Sequence, residues 1–219
     1  MSVIEILDKG GPIAWILFGY SVVALAIVFE RLFHFVRLGR LPAGFEHELI
    51  DALRRGDDHR VLAGTSGPEA RLMRALVQAN SEGVQDLTRV ATRVGSDELQ
   101  QMERGFRTLG ILGNTATLLG LFGTVTGMIK AFMVIESAGG RVDAQALAGG
   151  IWEAMITTGV GLAVAIPTLL LLHMLEGLAD RRAHAMRTYA SLVLETLPHG
   201  VNLDEGPVTH HREAIADAV

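Results

Sequence analysis

The amino-acid sequence predicts an all-α membrane protein with three transmembrane helices, a helical cytoplasmic loop and a cytoplasmic tail. Hydrophobic residues make up 49% of the 219 residues and charged residues only 20%, and the mean hydropathy is +0.34. Such values are typical of membrane proteins rather than soluble domains. Nearly all the charges lie between residues 29 and 110 or after residue 175, so the remaining sequence forms three apolar blocks.

Each apolar block is long enough to cross a bilayer once. The blocks are residues 10–29, 109–129 and 154–175, and about 20 helical residues span a hydrocarbon core of about 30 Å. Ala24, Leu25 and Ala26 imitate a signal-peptidase site. However, the residues ahead of the first block are net acidic, whereas a secretory signal begins with basic residues. We therefore expect the first span to be uncleaved.

The polar segment between the first two blocks, residues 37–107, has the periodicity of amphipathic helices. Ser66 or Gly67 is a suitable cap ahead of Pro68, where the middle helix is expected to start. Because no proline interrupts residues 84–129, the last loop helix is predicted to run unbroken into the second span. The predicted division is 1–36 (N-terminus and first span), 37–108 (loop), 109–135 (second span), 136–148 (short periplasmic loop), 149–175 (third span) and 176–219 (tail, its end disordered).

The basic residues nearest the spans predict the orientation, because cytoplasmic segments carry the excess of Lys and Arg. Only Lys9, Lys130 and Arg141 lie on one side of the bilayer. The other side has Arg31, Arg37, Arg40, Arg104, Arg107, Arg181, Arg182 and Arg187. The loop and the tail are therefore expected to be cytoplasmic, and the N-terminus and the short connection periplasmic.

Glu153 is the residue that most needs an explanation. It lies in residues 144–175, an otherwise uncharged run that corresponds to about 48 Å of helix. A charge within a membrane helix costs about 2.5 to 3.5 kcal/mol on insertion scales, and such groups usually face a cavity, a partner or a proton path. One interpretation is a titrating group at mid-depth, away from solvent. The other places Glu153 at the outer interface, hydrated or ion-paired with Lys130 or Arg141.

Small and hydroxyl side chains recur along faces of the second and third spans. In the third span, Glu153, Thr157, Gly161 and Ala165 are four residues apart and share a stripe. Small residues let helices approach closely in lipid, so an ordinary packing seam is one explanation of such stripes. The residues expected to pack helices together are Gly113, Gly120, Gly123, Gly127 and Gly161.

Nothing in the sequence indicates an enzyme, a cofactor or a metal site. It has no cysteine, no membrane-embedded Ser/His pair, no phosphate-binding loop and no spacing of two histidines and one carboxylate on a helix. His173 lies near the cytoplasmic end of the third span and is interpreted as a solvated side chain. Aromatic residues are sparse and do not alternate with a basic patch, which argues against nucleic-acid binding.

Two stretches within the spans form recognisable motifs. They are LGLFGTVTGM at residues 119–128 and EAMITTGVGLAVAIP at residues 153–167. Both resemble the TolQ/ExbB/MotA proton-channel family, with the ExbB branch as the best match and TolQ second. The resemblance extends to the number of spans, the loop and the orientation, and it covers nearly the whole chain except its last twenty or so residues. Flagellar stators of the MotA type usually have four spans and a larger cytoplasmic domain, so that branch is disfavoured.

The resemblance implies a homopentamer whose second and third spans line a pore. The pore would enclose the single helices of a dimeric ExbD- or TolR-like partner, which supplies a proton-carrying aspartate. Proton flow would then energise outer-membrane transport, for example of chelated iron, through a TonB-like protein. In the TolQ role, the same machine would act through a TolA-like protein and maintain the outer envelope. A membrane scaffold that conducts nothing is the alternative of another class.

The family motif also implies roles for individual residues. By position, Glu153 corresponds to the pore glutamate, Thr124 to the hydroxyl of the second span and Thr158 to that of the third. Helix geometry alone favours Thr157, which is about 40° from Glu153, over Thr158, which is about 140° away. Both threonines therefore stay candidates. Thr158 ranks higher because adjacent subunits can present different faces to a pore.

Overall fold

The computed structural model describes residues 2–37, 44–55, 58–137 and 144–197, and the regular structure in these ranges is α-helical. The helices are α1 (Val3–Lys9), α2 (Gly11–Arg37), α3 (Phe45–Arg55), α4 (Asp58–Ala63), α5 (Pro68–Ser81), α6 (Leu87–Met102), α7 (Phe106–Ser137) and α8 (Ala144–Thr196). Three helical segments are long and apolar enough to cross a membrane: Gly11–Arg37, Phe106–Ser137 and Leu147–Thr196. The predicted all-α architecture with three spans is confirmed. Arg141 and the tail end predicted to be disordered lie outside the described residues.

The chain divides into two compact units. The first, here called the membrane unit, consists of Met1–Leu38 and Leu99–Arg181. The second, the polar unit, consists of Gly39–Glu98 and Arg182–Val219. Each unit therefore combines two segments that are distant in sequence.

Side chains from all three spans form a core in the membrane unit. Leu17 of α2, Ala116 of α7 and Ala165 of α8 pack together and are at most 2% exposed. Many other large apolar side chains point outward, and Phe29 and Met155 are 67% and 63% exposed. An apolar outer surface suits lipid tails, which are as apolar as these side chains. The membrane unit is thus built to be surrounded by hydrocarbon.

A short helix, α1, precedes the first span, and the sequence pattern did not predict it. The Ser2 hydroxyl caps it by accepting a hydrogen bond from the backbone N–H of Glu5 at 3.3 Å. The chain turns from α1 into α2 at Gly10 and Gly11. Gly11 has a φ of 65°, a conformation that glycine adopts without steric cost. This turn places the start of α2 beside α8.

The predicted continuous helix from the loop into the second span is wrong. α6 ends at Met102 and α7 begins at Phe106. Between them Gly105 has a φ of 90°, which lies outside the right-handed helical region and is accessible to glycine. The absence of proline was therefore not sufficient to predict an uninterrupted helix.

The third span and the start of the tail form one helix. α8 has 53 residues, which corresponds to about 80 Å. Pro167 lies inside it, a position that membrane helices tolerate although proline donates no backbone hydrogen bond. Since about 20 residues suffice to cross a bilayer, α8 is long enough to contribute to both units.

Two ion pairs connect the helices of the polar unit. α5 begins at Pro68, as predicted. In its first turn Glu69 is 1% exposed and accepts a hydrogen bond from Nη1 of Arg182 at 3.0 Å. Two residues later, Arg71 donates from Nε to Glu98 of α6 at 2.5 Å and also from Nη2. The hydrogen bond to Glu98 raises the pKa of Arg71 above its ordinary value, against the opposing effect of burial.

Candidate functional site

Glycines let the backbones of α7 and α8 approach each other closely. A Cβ on Gly161 would lie 2.8 Å from the carbonyl oxygen of Ala116 and 2.9 Å from Cα of Gly120. Both of these atoms belong to the backbone, so neither can rotate away. The other glycines expected to pack helices lie in the same contact, where Gly113 faces Leu169, Gly123 faces Thr157 and Gly127 faces Ala154. This surface is called the glycine contact below.

Replacing Gly161 by alanine is expected to destabilise the membrane unit by about 1 to 3 kcal/mol, because one methyl group must push two backbones apart. Gly159 provides a matched control on the same helix, since nothing lies within 4 Å of a Cβ placed there. Alanine at 159 should leave stability unchanged or raise it by up to about 1 kcal/mol. Thermal unfolding of the two variants in detergent measures both effects. Equal midpoints for Gly161→Ala and Gly159→Ala would contradict the close contact.

The carboxylate of Glu153 forms an ion pair with Lys130 of α7. The Lys130 ammonium donates to Oε1 of Glu153 at 2.5 Å, and the two side chains are 57% and 29% exposed. This contact is the one that the interfacial interpretation of Glu153 predicted. Within the structure, Glu153 is therefore paired with a cation.

The helix contacts also place Glu153 relative to the apolar block of α7. Lys130 is the first charged residue after the apolar block of α7, so its partner Glu153 lies level with the end of that block. The middle of the block is level with Gly161, because Gly161 meets Gly120. Glu153 is eight residues away from Gly161, which is about 12 Å along the helix.

The start of α2 lies on another side of the Glu153 carboxylate. A Cβ on Gly11 would be 3.2 Å from Oε1 of Glu153. The sequence analysis did not assign Gly11 to the site. The pair Gly10 and Gly11 before Pro12 is a recognisable turn signal ahead of a helix start, but it gives no information on which side chain lies nearby.

The three candidate hydroxyls make different contacts. Thr158 donates to the carbonyl oxygen of Gly120 on α7 at 2.9 Å, so it connects the two helices. Thr157 is 2% exposed at the glycine contact and donates to a carbonyl of its own helix at 2.8 Å. Thr124 likewise donates within its own helix, at 2.6 Å. Of the three, Thr157 is enclosed within a single chain, whereas Thr124 and Thr158 are half-buried.

The candidate residues lie on two opposite flanks of the glycine contact. We call Glu153 and Lys130 the acid flank, and Thr124 and Thr158 the hydroxyl flank. On α8, Glu153 and Thr158 are about 140° apart, with the face that packs on α7 between them. On α7, Thr124 and Lys130 lie about 60° to either side of the buried Gly127. One chain therefore does not bring the carboxylate and the two hydroxyls to a common surface.

These features define a class of protein. It is a helical membrane protein with an ionisable pair and a row of hydroxyls beside a close helix contact, which is typical of subunits that move ions or protons. A model of the MotA/TolQ/ExbB proton channel family matches residues 65–188. The chain belongs to this family.

Three similar proteins agree with this assignment. The chain is 32% identical over 185 residues to the putative biopolymer transport protein ExbB-like 1 of Synechocystis sp., a match that covers 80% of this chain and 70% of the relative. It is 28% identical over 203 residues to biopolymer transport protein exbB1 of Vibrio cholerae, which covers 89% of both chains. It is also 29% identical over 164 residues to biopolymer transport protein ExbB of Neisseria meningitidis, which covers 68% of this chain and 74% of the relative.

Proposed function

We propose that this chain is the proton-channel and stator subunit of an ExbB–ExbD-type motor. The motor uses the proton motive force of the bacterial inner membrane to energise outer-membrane transport through a TonB-like protein. The observation that carries the proposal is the Glu153–Lys130 pair at the edge of the glycine contact, in a chain of the MotA/TolQ/ExbB proton channel family. A carboxylate on a membrane helix is a group that can take up and release a proton.

The two flanks support an assembly of several copies. Because the acid flank and the hydroxyl flank face apart in one chain, a continuous path of polar groups needs a second copy beside the first. Asn114 adds to this argument, since it lies exposed within the apolar block of α7. An amide in apolar surroundings is costly unless another group bonds to it. In a ring, the hydroxyl flank of one chain faces the acid flank of the next, and Asn114 faces the neighbouring chain closer to the opposite end of the span.

The family resemblance supplies the finer detail of the proposal. It implies a homopentamer around a dimeric partner of the ExbD or TolR type, and a TonB- or TolA-like protein that receives the force. The Lys and Arg distribution favours a periplasmic N-terminus and a cytoplasmic C-terminus. Together these features describe a stator ring in the inner membrane that surrounds foreign helices.

The experiment uses the complex isolated from native membranes through a tag on this chain. The complex is placed in vesicles that contain a pH-sensitive dye, and a potassium diffusion potential is imposed. We expect a change of internal pH that empty vesicles do not show. Electron microscopy of the same sample should show five copies around helices of another chain. Intact rings with an empty axis and no proton flux would contradict the proposal and favour the scaffold.

A further inference from the structure

Lys130 contacts the proposed proton-binding group from a different helix of the same chain. The two side chains are 23 residues apart in sequence, and Nζ of Lys130 donates a charge-assisted hydrogen bond to Oε1 of Glu153. Lys130 is the more exposed of the two. Its aliphatic stem therefore lies at the surface of the chain while its ammonium group reaches the carboxylate, as long cationic side chains at membrane edges do.

The surroundings of the carboxylate leave Lys130 as its charged contact. Gly11 at the start of α2 presents no side chain, and a Cβ placed there would lie 3.2 Å from Oε1. Within the described ranges, Lys130 is the residue that forms an ion pair with Glu153. Among the described residues, the ammonium group of Lys130 is therefore the contact that can orient the carboxylate.

We propose that Lys130 is the positioning residue of Glu153. Its ammonium group directs the carboxylate toward the start of α2 and balances its charge whenever the carboxylate is deprotonated. The inference rests on the proposed function, since it assigns a role in proton transfer at the same site. Lys130 does not itself carry the proton.

The contact between Lys130 and Glu153 changes as Glu153 gains and loses one proton. When hydronium from the outer aqueous phase protonates the carboxylate, an O–H bond forms, a water molecule is released and the ion pair loses its attraction. The neutral acid is then free to turn away from Lys130. When the acid gives its proton to a water molecule inside the assembly, hydronium forms, the carboxylate regains its charge and the side chain returns to the ammonium group. The ion pair therefore separates and re-forms once for each proton.

The test compares three variants of the tagged chain in the isolated complex. Lys130→Met removes the charge and keeps most of the stem, and Lys130→Arg keeps a charge. Lys9→Met is the matched control, because Lys9 forms an exposed pair with Glu5 in the same unit. We expect Lys130→Met to lower potential-driven proton flux by about tenfold or more, since the carboxylate loses its partner. Lys130→Arg should retain most of the flux, and Lys9→Met all of it.

A spectroscopic readout separates positioning from a merely structural role. The infrared carboxylate band of Glu153 can be identified by its absence in Glu153→Gln. It should move in Lys130→Met, stay near its place in Lys130→Arg and be unaffected in Lys9→Met. The amount of assembled complex, measured by size-exclusion chromatography, should be the same in each variant. A double variant, Lys130→Glu with Glu153→Lys, should assemble but conduct no protons.

The outcomes distinguish this proposal from the proposed function. Wild-type flux and an unmoved infrared band in Lys130→Met would overturn the role of Lys130 while the proposed function stands. Equal flux in the wild type and in Glu153→Gln would overturn this inference, because the proton would then take a route without Glu153, whereas absence of flux in the wild type itself would overturn the proposed function. Loss of assembly in Lys130→Met together with normal flux in the double variant would show a structural tie and overturn positioning.

Discussion

Replacing Glu153 by glutamine is expected to abolish proton flux while the complex still assembles. The amide has nearly the shape of the acid but cannot take up and release a proton near neutral pH. Loss of a positioned proton-transfer group typically lowers a rate by about a hundredfold or more. The measurement is the potential-driven change of internal pH in vesicles that contain the isolated complex. In cells, growth that depends on energised outer-membrane uptake should fail in parallel.

A suitable control for this variant is Glu136→Gln. Glu136 is an exposed carboxylate near the end of α7. Glu136→Gln changes the net charge of the chain by the same amount as Glu153→Gln. It should leave the flux unchanged. Glu153→Asp keeps a carboxylate on a side chain that is one methylene shorter, and it should retain part of the flux. Wild-type flux in Glu153→Gln would show that the proton takes a route that does not include this side chain.

Replacing Arg182 by methionine is expected to destabilise the polar unit by about 3 to 5 kcal/mol, because it leaves a buried carboxylate without its cation. Glu69 is 1% exposed and Arg182 is 17% exposed. Within the described part of the chain, Oε2 of Glu69 has no hydrogen-bond partner even with Arg182 in place. The carboxylate therefore depends on Arg182 through its other oxygen. Thermal unfolding in detergent, followed by circular dichroism, measures the loss.

Two further variants make the Arg182 prediction specific. Arg181→Met removes the neighbouring, exposed arginine of α8 and should change stability by less than about 1 kcal/mol. Replacing both members of the pair by methionine (Glu69→Met with Arg182→Met) should restore most of the stability, because no buried charge is then left without a partner. If Arg182→Met and Arg181→Met unfold at the same temperature, the buried pair does not stabilise the unit.

The spans were predictable because their signal is local. A run of about 20 uncharged apolar residues has few alternatives to a membrane helix, so the three spanning segments follow from the sequence. The start of α5 at Pro68 was predictable for the same reason, since proline suits the first turn of a helix. The break before α7 was not, because it depends on the φ of Gly105. Glycine allows that conformation without requiring it.

The site was only partly predictable because its contacts join distant parts of the chain. Helix periodicity placed Thr157 near Glu153 and Thr158 away from it, but it could not show which face of α8 packs on α7. The packing face depends on how the two helices are aligned, and the motif alone does not determine this alignment. The contact of Lys130 with Glu153 was left open against Arg141 for the same reason. The acid itself was evident, since a charge within an apolar run is rare.

The hydrogen bond from Thr158 to Gly120 has a consequence for how a resting ring would behave. A hydroxyl has one proton to donate, and here that proton is engaged by a backbone oxygen of the neighbouring helix. Water entering at this point must displace Thr158 from that oxygen or bind beside it. Water that displaces Thr158 would also remove a hydrogen bond between the two helices. A subunit held in this state would keep its membrane sealed against leakage until motion of the assembly admits water.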